Sequence, residues 1–178
     1  METLNPEQLA AEGQAEYKKG EYLSAALLFI AAAEGFTNVG DELSAAEMAN
    51  NSSVAYLKSG DAKSALESSI GTDLLFASKG DIKRQAMALG NQAAALENLK
   101  RYDEAIIAYE KSAQLLNDAG EFELRAYVCQ SLSSLQLHRG RYLEAYGTMR
   151  AGVMGVKAPN LRQKILKSLM DLPFKFLK

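Results

Sequence analysis

Two asparagines, Asn51 and Asn91, lie forty positions apart in this 178-residue chain. Their residue type and their spacing suit the binding of a peptide by hydrogen bonds. The asparagine side chain offers one acceptor and two donors, so it can pair with the carbonyl and the amide of a peptide main chain. If the chain repeats with a period of forty, both amides face one surface at equivalent places. They then predict a site that binds the backbone of a peptide; the alternative is that they are solvated surface residues.

Residue types that serve catalysis or metal binding are scarce. His138 is the only histidine and Cys129 is the only cysteine, so a histidine pair is excluded and a zinc site would need carboxylates alone. Nothing beside Cys129 in the sequence supplies the base or helix start that activates a thiol, and we expect this residue in the core. No set of titratable residues suits acid, base or nucleophilic catalysis. The sequence therefore predicts a protein that is not an enzyme and that has no cofactor or metal.

Glycine recurs along the chain at intervals of twenty residues. It stands at positions 20, 40, 60, 80, 120 and 140, and Lys100 and Asn160 fill the two gaps. The residues after each glycine alternate between two patterns, so the true period is about forty residues with two segments in each unit. Repeats of this length indicate stacked supersecondary units, and hence an elongated solenoid.

The segments between the glycines are predicted to be helices, since apolar residues recur at spacings of three and four among strong helix formers. A glycine just past a helix allows a left-handed turn, and an acid directly after it can cap the next helix. At Lys100 the turn either accepts a left-handed lysine, at a cost of about 1 kcal/mol, or closes differently. The predicted helices span about 5–18, 22–38, 42–58, 62–78, 82–98, 102–118, 122–138, 142–155 and 159–172.

Several positions recur in phase when the chain is shifted by forty residues. The clearest unit, from Ala88 to Ala113, reads ALGNQAAALENLKRYDEAIIAYEKSA. Three kinds of position repeat: a small residue before the helical bend, an aromatic residue after the turn and a second small packing residue. They are Gly13, Ser53, Ala93 and Ser133; Tyr22, Ala62, Tyr102 and Tyr142; and Ala25, Ala65, Ala105 and Ala145. This register resembles that of the tetratricopeptide repeat proteins in their longer form, over roughly residues 5–155.

The resemblance implies an all-α fold, an α-solenoid that forms a right-handed superhelix of four helical hairpins. One domain would cover residues 1–178, with repeats at about 5–40, 41–80, 81–120 and 121–157 and a capping helix and tail at 158–178. The second repeat departs from the pattern at Ala62, Ser69 and Thr72, and we expect it to be the least stable.

In the family that this chain resembles, the first helix of each hairpin lines a concave groove that binds an extended or helical peptide of a partner protein. The register places the groove here at Gln14, Tyr17, Asn50, Asn51, Val54, Lys58, Met87, Asn91, Ala94, Asn98, Tyr127, Gln130, Ser134 and His138. It also includes neighbouring positions, namely Glu7, Ala10, Lys18, Glu47, Gly90 and Ser131. The resemblance therefore implies a scaffold or adaptor with a protein or peptide partner.

Charge is distributed unevenly along the chain. Residues 1–50 hold nine acids and two lysines, or −7, and residues 157–178 hold six bases and one acid, or +5. The total of −2 favours no attraction to nucleic acid. The segment from Leu172 to Lys178 alternates apolar and basic residues. It could bind a partner, an anionic membrane surface or the acidic first hairpin of another copy.

The sequence favours a cytoplasmic protein and leaves two functions open. The longest apolar stretch, Ala25 to Ala33, is too short to cross a bilayer, no signal peptide is recognisable, and a single cysteine suits a reducing compartment. The first function is an adaptor that binds a peptide or helix in the groove. The second is a self-assembling scaffold in which the basic end of one copy meets the acidic end of the next.

Overall fold

The computed structural model describes residues 5–156 together with Pro159 and Lys164, and this part of the chain is helical without a strand. Apart from those two residues, the predicted capping helix and tail at 158–178 lie outside the described residues. The helices are α1 (Pro6–Lys19), α2 (Tyr22–Asn38), α3 (Glu42–Ser59), α4 (Ala62–Ser69), α5 (Thr72–Ser78), α6 (Ile82–Asn98), α7 (Tyr102–Asp118), α8 (Phe122–His138) and α9 (Tyr142–Val153).

The prediction of one helix over 62–78 is wrong, because this segment forms the two helices α4 and α5. Gly71 between them is left-handed with φ of 82°, a conformation that glycine adopts at no steric cost. The carbonyl of Ser69 accepts hydrogen bonds from Thr72 Oγ1 and from Gln92 Nε2, both at 2.8 Å. Two side chains thus replace the helical hydrogen bonding that is lost at the break.

Consecutive helices pack into hairpins, and consecutive hairpins stack. Within the described chain, α1 packs on α2, α3 on α4, α6 on α7, and α8 on α9. The stack continues because α2 also contacts α3, α4 and α5 contact α6, and α7 contacts α8. The fold is therefore an all-α helical-repeat solenoid, as the sequence predicts.

The turns form largely as the repeating glycines predict. The glycines at positions 20, 40, 60, 80, 120 and 140 all have positive φ, and Lys100 adopts the same left-handed conformation with φ of 61°. Of the two alternatives for this turn, the left-handed lysine is thus confirmed. After three of these glycines the acid caps the next helix, since Asp41 Oδ1 accepts from Ser44 N, Asp61 Oδ1 from Ser64 N and Asp81 Oδ1 from Arg84 N. Glu121 makes no such cap and instead pairs with Lys83 at 3.0 Å.

The hairpins close on small residues. Ala25, Ala65, Ala105 and Ala145, one from each hairpin, all have 0% exposure. In the first hairpin Gly13 meets Phe29 so closely that a Cβ added to the glycine would lie 2.9 Å from the ring. Two helices approach this closely only where side chains are small, so the packing confirms the forty-residue register.

The last hairpin is held by a buried arginine and a close helix contact. Arg125 of α8 donates to Asn117 Oδ1 and to the carbonyls of Ala151 and Met154 at the end of α9. Cys129 lies in the core against Gly152, where an added Cβ would approach the cysteine Cβ to 2.6 Å. Burial raises the pKa of the Cys129 thiol, which keeps it protonated and unreactive. The prediction of a core cysteine is confirmed.

We expect Ala105→Leu to lower the free energy of unfolding by about 1–3 kcal/mol, because the larger side chain overpacks the α6–α7 hairpin. Chemical denaturation monitored by circular dichroism measures the change. Ala77→Leu, at an exposed position of α5, is the matched control and should change stability by about 0.5 kcal/mol or less. Equal stability of the two variants would contradict the assigned register.

Lys100→Gly should raise the free energy of unfolding by about 1 kcal/mol, because glycine removes the steric cost of the left-handed turn. The reciprocal change Gly140→Lys places a lysine at the equivalent turn of the next repeat, forty residues further on, and should lower stability by a similar amount. Thermal melts measure both variants. The melting temperature should rise in the glycine variant and fall in the lysine variant, and a shift in the same direction for both would contradict the prediction.

Candidate functional site

The predicted groove residues lie on α1, α3, α6 and α8, which are the first helices of their hairpins, and none of them is fully buried. We call the surface that they form the first-helix surface. Its exposed members are Gln14, Lys58, Met87, Asn98, Tyr127, Gln130, Ser134 and His138. Its half-buried members are Tyr17, Asn50, Asn51, Val54, Asn91 and Ala94.

One contact on this surface joins the second hairpin to the third. Asn91 Nδ2 of α6 donates to Asn50 Oδ1 of α3 over 3.5 Å. This distance is at the long end for a hydrogen bond, so the amide of Asn91 can exchange this partner for a better one. Asn51 has only a weak contact, from its Nδ2 to Met48 Sδ at 4.0 Å. The register pairs Asn91 with Asn51. In the structure Asn91 instead contacts Asn50, the residue next to Asn51 in the sequence.

A cavity of about 430 Å³ lies between α6 and α8 on the same surface. Four of the predicted residues line it, Tyr127, Gln130, Ser131 and Ser134, together with Glu97. The Tyr127 side chain is 68% exposed, so an aromatic ring and several hydrogen-bonding groups are open to a bound molecule. Such a mixture of one aromatic and several small polar groups is suited to a peptide.

Glu97 is absent from the predicted groove set, although it is the one carboxylate that lines this cavity. Its Oε2 accepts a hydrogen bond of 3.0 Å from the hydroxyl of Tyr109. Glu97 stands eighty residues, or two repeats, after Tyr17, which is in the predicted set. The forty-residue register could therefore have identified Glu97 as a groove residue.

Tyr109 fixes the position of that carboxylate from below the surface. Its side chain is buried in the core, in the same cluster as Ala93 and Ala105. Burial is the main cause that raises the pKa of Tyr109, and the neighbouring charge of Glu97 adds to it. The hydroxyl therefore remains protonated near neutral pH and keeps donating to Glu97.

Some predicted groove residues make contacts within their own hairpin or with the second helix of the preceding one, rather than with another first helix. The ring of Tyr17 lies edge-on to Tyr22 at 5.3 Å between centroids, and His138 lies edge-on to Tyr102 at 5.9 Å. Asn98 Nδ2 donates to the carbonyl of Ala94 in its own helix at 2.9 Å. These contacts do not join two first helices, whereas the Asn50–Asn91 contact and the α6–α8 cavity do.

The side chains of the described residues form no cluster of three or more histidine, cysteine or acidic groups that could hold a metal ion. In the same part of the chain no helix combines the length and the apolar character needed to cross a membrane. The first-helix surface offers amides, hydroxyls and a carboxylate, which bind by hydrogen bonds and charge.

A scan against protein-family models and a search of the curated proteins found no match to this chain. Its class is therefore defined by architecture, as an all-α helical-repeat solenoid whose hairpins repeat every forty residues.

Tyr109 predicts a loss of stability in alkaline solution. A tyrosine in the unfolded chain ionises near pH 10, whereas the folded pKa of Tyr109 is raised. The stability that this group contributes is thus complete below about pH 10 and is lost as the pH rises above it. Tyr109→Phe should flatten the decline in unfolding free energy as the pH rises above about 10. Tyr142→Phe, at an exposed site, should keep the wild-type slope, and equal slopes in both variants would refute the assignment.

Proposed function

We propose that this chain is a tetratricopeptide-type repeat protein that acts without catalysis, as an adaptor binding a partner peptide or helix on its first-helix surface. The observation that carries the proposal is the α6–α8 cavity, because it is bordered by Tyr127, Gln130 and Ser134, residues that the repeat register alone selects. The Asn50–Asn91 contact extends the same surface to the preceding hairpin.

The proposed binding mechanism combines contacts to the peptide main chain with contacts to its side chains. The amides of Asn51, Asn91 and Gln130 pair with backbone carbonyls and amides whatever the sequence of the peptide. Tyr127 provides an apolar ring with a polar tip, which is typical of residues that dominate binding energy. Glu97, held by Tyr109, favours a basic side chain of the partner in the cavity.

A cytoplasmic location is part of the same proposal. Its support is the single cysteine, Cys129, which is buried and remains a free thiol. Proteins of oxidising compartments are usually richer in cysteines that pair as disulfides.

The test uses peptides selected from a random phage-displayed library on the wild-type chain. We expect Asn51→Ala with Asn91→Ala to weaken their binding by about tenfold or more, because each lost pair of hydrogen bonds costs about 1–3 kcal/mol. Fluorescence anisotropy measures the Kd. The melting temperature should change little, since amides at a solvated surface contribute little to folding.

Gln114→Ala is the matched control, because it removes an exposed amide from α7, a second helix outside the first-helix surface. It should leave the Kd unchanged within about twofold. Selected peptides that bind the double variant as tightly as the wild type would exclude the first-helix surface as the site.

A further inference from the structure

A second and larger cavity, of about 730 Å³, opens where the second hairpin is broken. The later half of α2, the beginning of α3 and the break between α4 and α5 line it. We call it the outer groove. It shares no residue with the first-helix surface, and its volume is within the range of about 300–1,000 Å³ that is common for ligand pockets.

The break that opens the outer groove is a defined structure with its own hydrogen bonds. Besides the bonds from Thr72 and Gln92 to the carbonyl of Ser69, Gln92 Nε2 donates to Asp73 Oδ1 at 3.1 Å. Thr72 and Asp73 are buried. In the third hairpin the equivalent segment is the uninterrupted helix α7. A frayed helix would leave these polar groups to water, so the polar network indicates that the break is a stable feature of the fold.

The lining of the outer groove is mainly apolar, with acidic groups along it. Ile30, Leu75 and several alanines of α3 line it, and Ile70 at the break is 67% exposed. The carboxylates of Glu34 and Glu42 also line it. Glu42 pairs with Lys79 at 3.1 Å, whereas Glu34 has no ion pair among the described residues.

The chain itself contains a segment of complementary chemistry. Residues 172–178 read LPFKFLK, which places two phenylalanines, two leucines and two lysines within seven positions. Apolar side chains can fill the groove while a lysine neutralises Glu34. The net charges are also complementary, since most of the groove lining comes from residues 1–50, which carry −7, and the segment belongs to residues 157–178, which carry +5.

We propose that the outer groove binds residues 172–178 of a second copy of this chain. The groove lies on the first two hairpins, whereas the described helices end on the fourth, so the contact joins opposite ends of two copies. Such a head-to-tail contact does not close on itself and builds open assemblies. The proposed contact is independent of peptide binding on the first-helix surface. It gives a specific site to the second function that the sequence leaves open, the self-assembling scaffold.

The first experiment is sedimentation velocity of the full chain over a range of concentrations at about 20 and about 500 mM salt. We expect concentration-dependent oligomers at low salt that dissociate at high salt. Phe174→Ser with Phe176→Ser should abolish them. Glu34→Lys should weaken the association by about fivefold or more, because it reverses the charge that meets a lysine.

Two matched controls separate the groove from general surface effects. Glu12→Lys makes the same charge change at an exposed position of α1 outside the groove and should alter association by less than about twofold. Ile70→Ser should weaken association, whereas Ile107→Ser on α7, where the isoleucine is 65% exposed, should not.

The second experiment adds a labelled synthetic peptide of residues 172–178 to the full-length Phe174→Ser, Phe176→Ser variant, whose own segment no longer competes. Binding should saturate, weaken by about fivefold or more with Glu34→Lys, and remain with Asn51→Ala and Asn91→Ala. The last comparison separates this proposal from the adaptor function.

Three results would overturn the proposal. One is a full chain that stays monomeric at low salt, including the case in which the peptide binds but the segment occupies the groove of its own copy. Another is oligomers that persist in the Phe174→Ser, Phe176→Ser variant, which would identify another part of the second copy as the occupant. The third is peptide binding that is indifferent to Glu34→Lys.

Discussion

The close approach of two helices at a fully buried small residue is the constraint on which the whole structure depends. Each hairpin has an alanine with no exposure at this crossing, from Ala25 to Ala145. Since the residue recurs every forty positions, the two helices of every hairpin can approach closely at the equivalent place. Stacking, the spacing of the turns and the position of the first-helix surface all follow from that repeated contact.

The second hairpin shows how this constraint tolerates variation. Where the first and third hairpins bury an aromatic ring, Phe29 and Tyr109, the second has Ser69, which is also fully buried. A hydroxyl cannot fill that volume, and α4 ends at this residue. The crossing at Ala65 is nevertheless intact, so the hairpin keeps its place in the stack while its outer side opens into a groove. Departure from the repeat thus accompanies a groove at this hairpin.

The two grooves were predictable from the sequence to different degrees. The first-helix surface follows from periodicity, because side chains at equivalent positions of stacked hairpins must share one side, and the exposure of Tyr127 and Gln130 agrees with that. Glu97 follows from the same register. Its hydrogen bond with Tyr109 does not, because it joins two helices through a side-chain geometry that spacing alone does not specify. The outer groove depends on the break, which apolar spacing over 62–78 does not reveal.

The sequence by itself determined the helices, the turns and the repeat, because each depends on local signals: helical spacing, left-handed residues such as Gly80 and Lys100, and small residues in phase. Tertiary structure decided which polar groups meet. The carbonyl of Ser69 receives its hydrogen bond from Gln92, which is twenty-three residues away in the next hairpin, and Asn91 reaches Asn50 rather than an equivalent amide. Such contacts depend on how hairpins stack in three dimensions, and a difference of about one residue in helix register changes which side chains face each other.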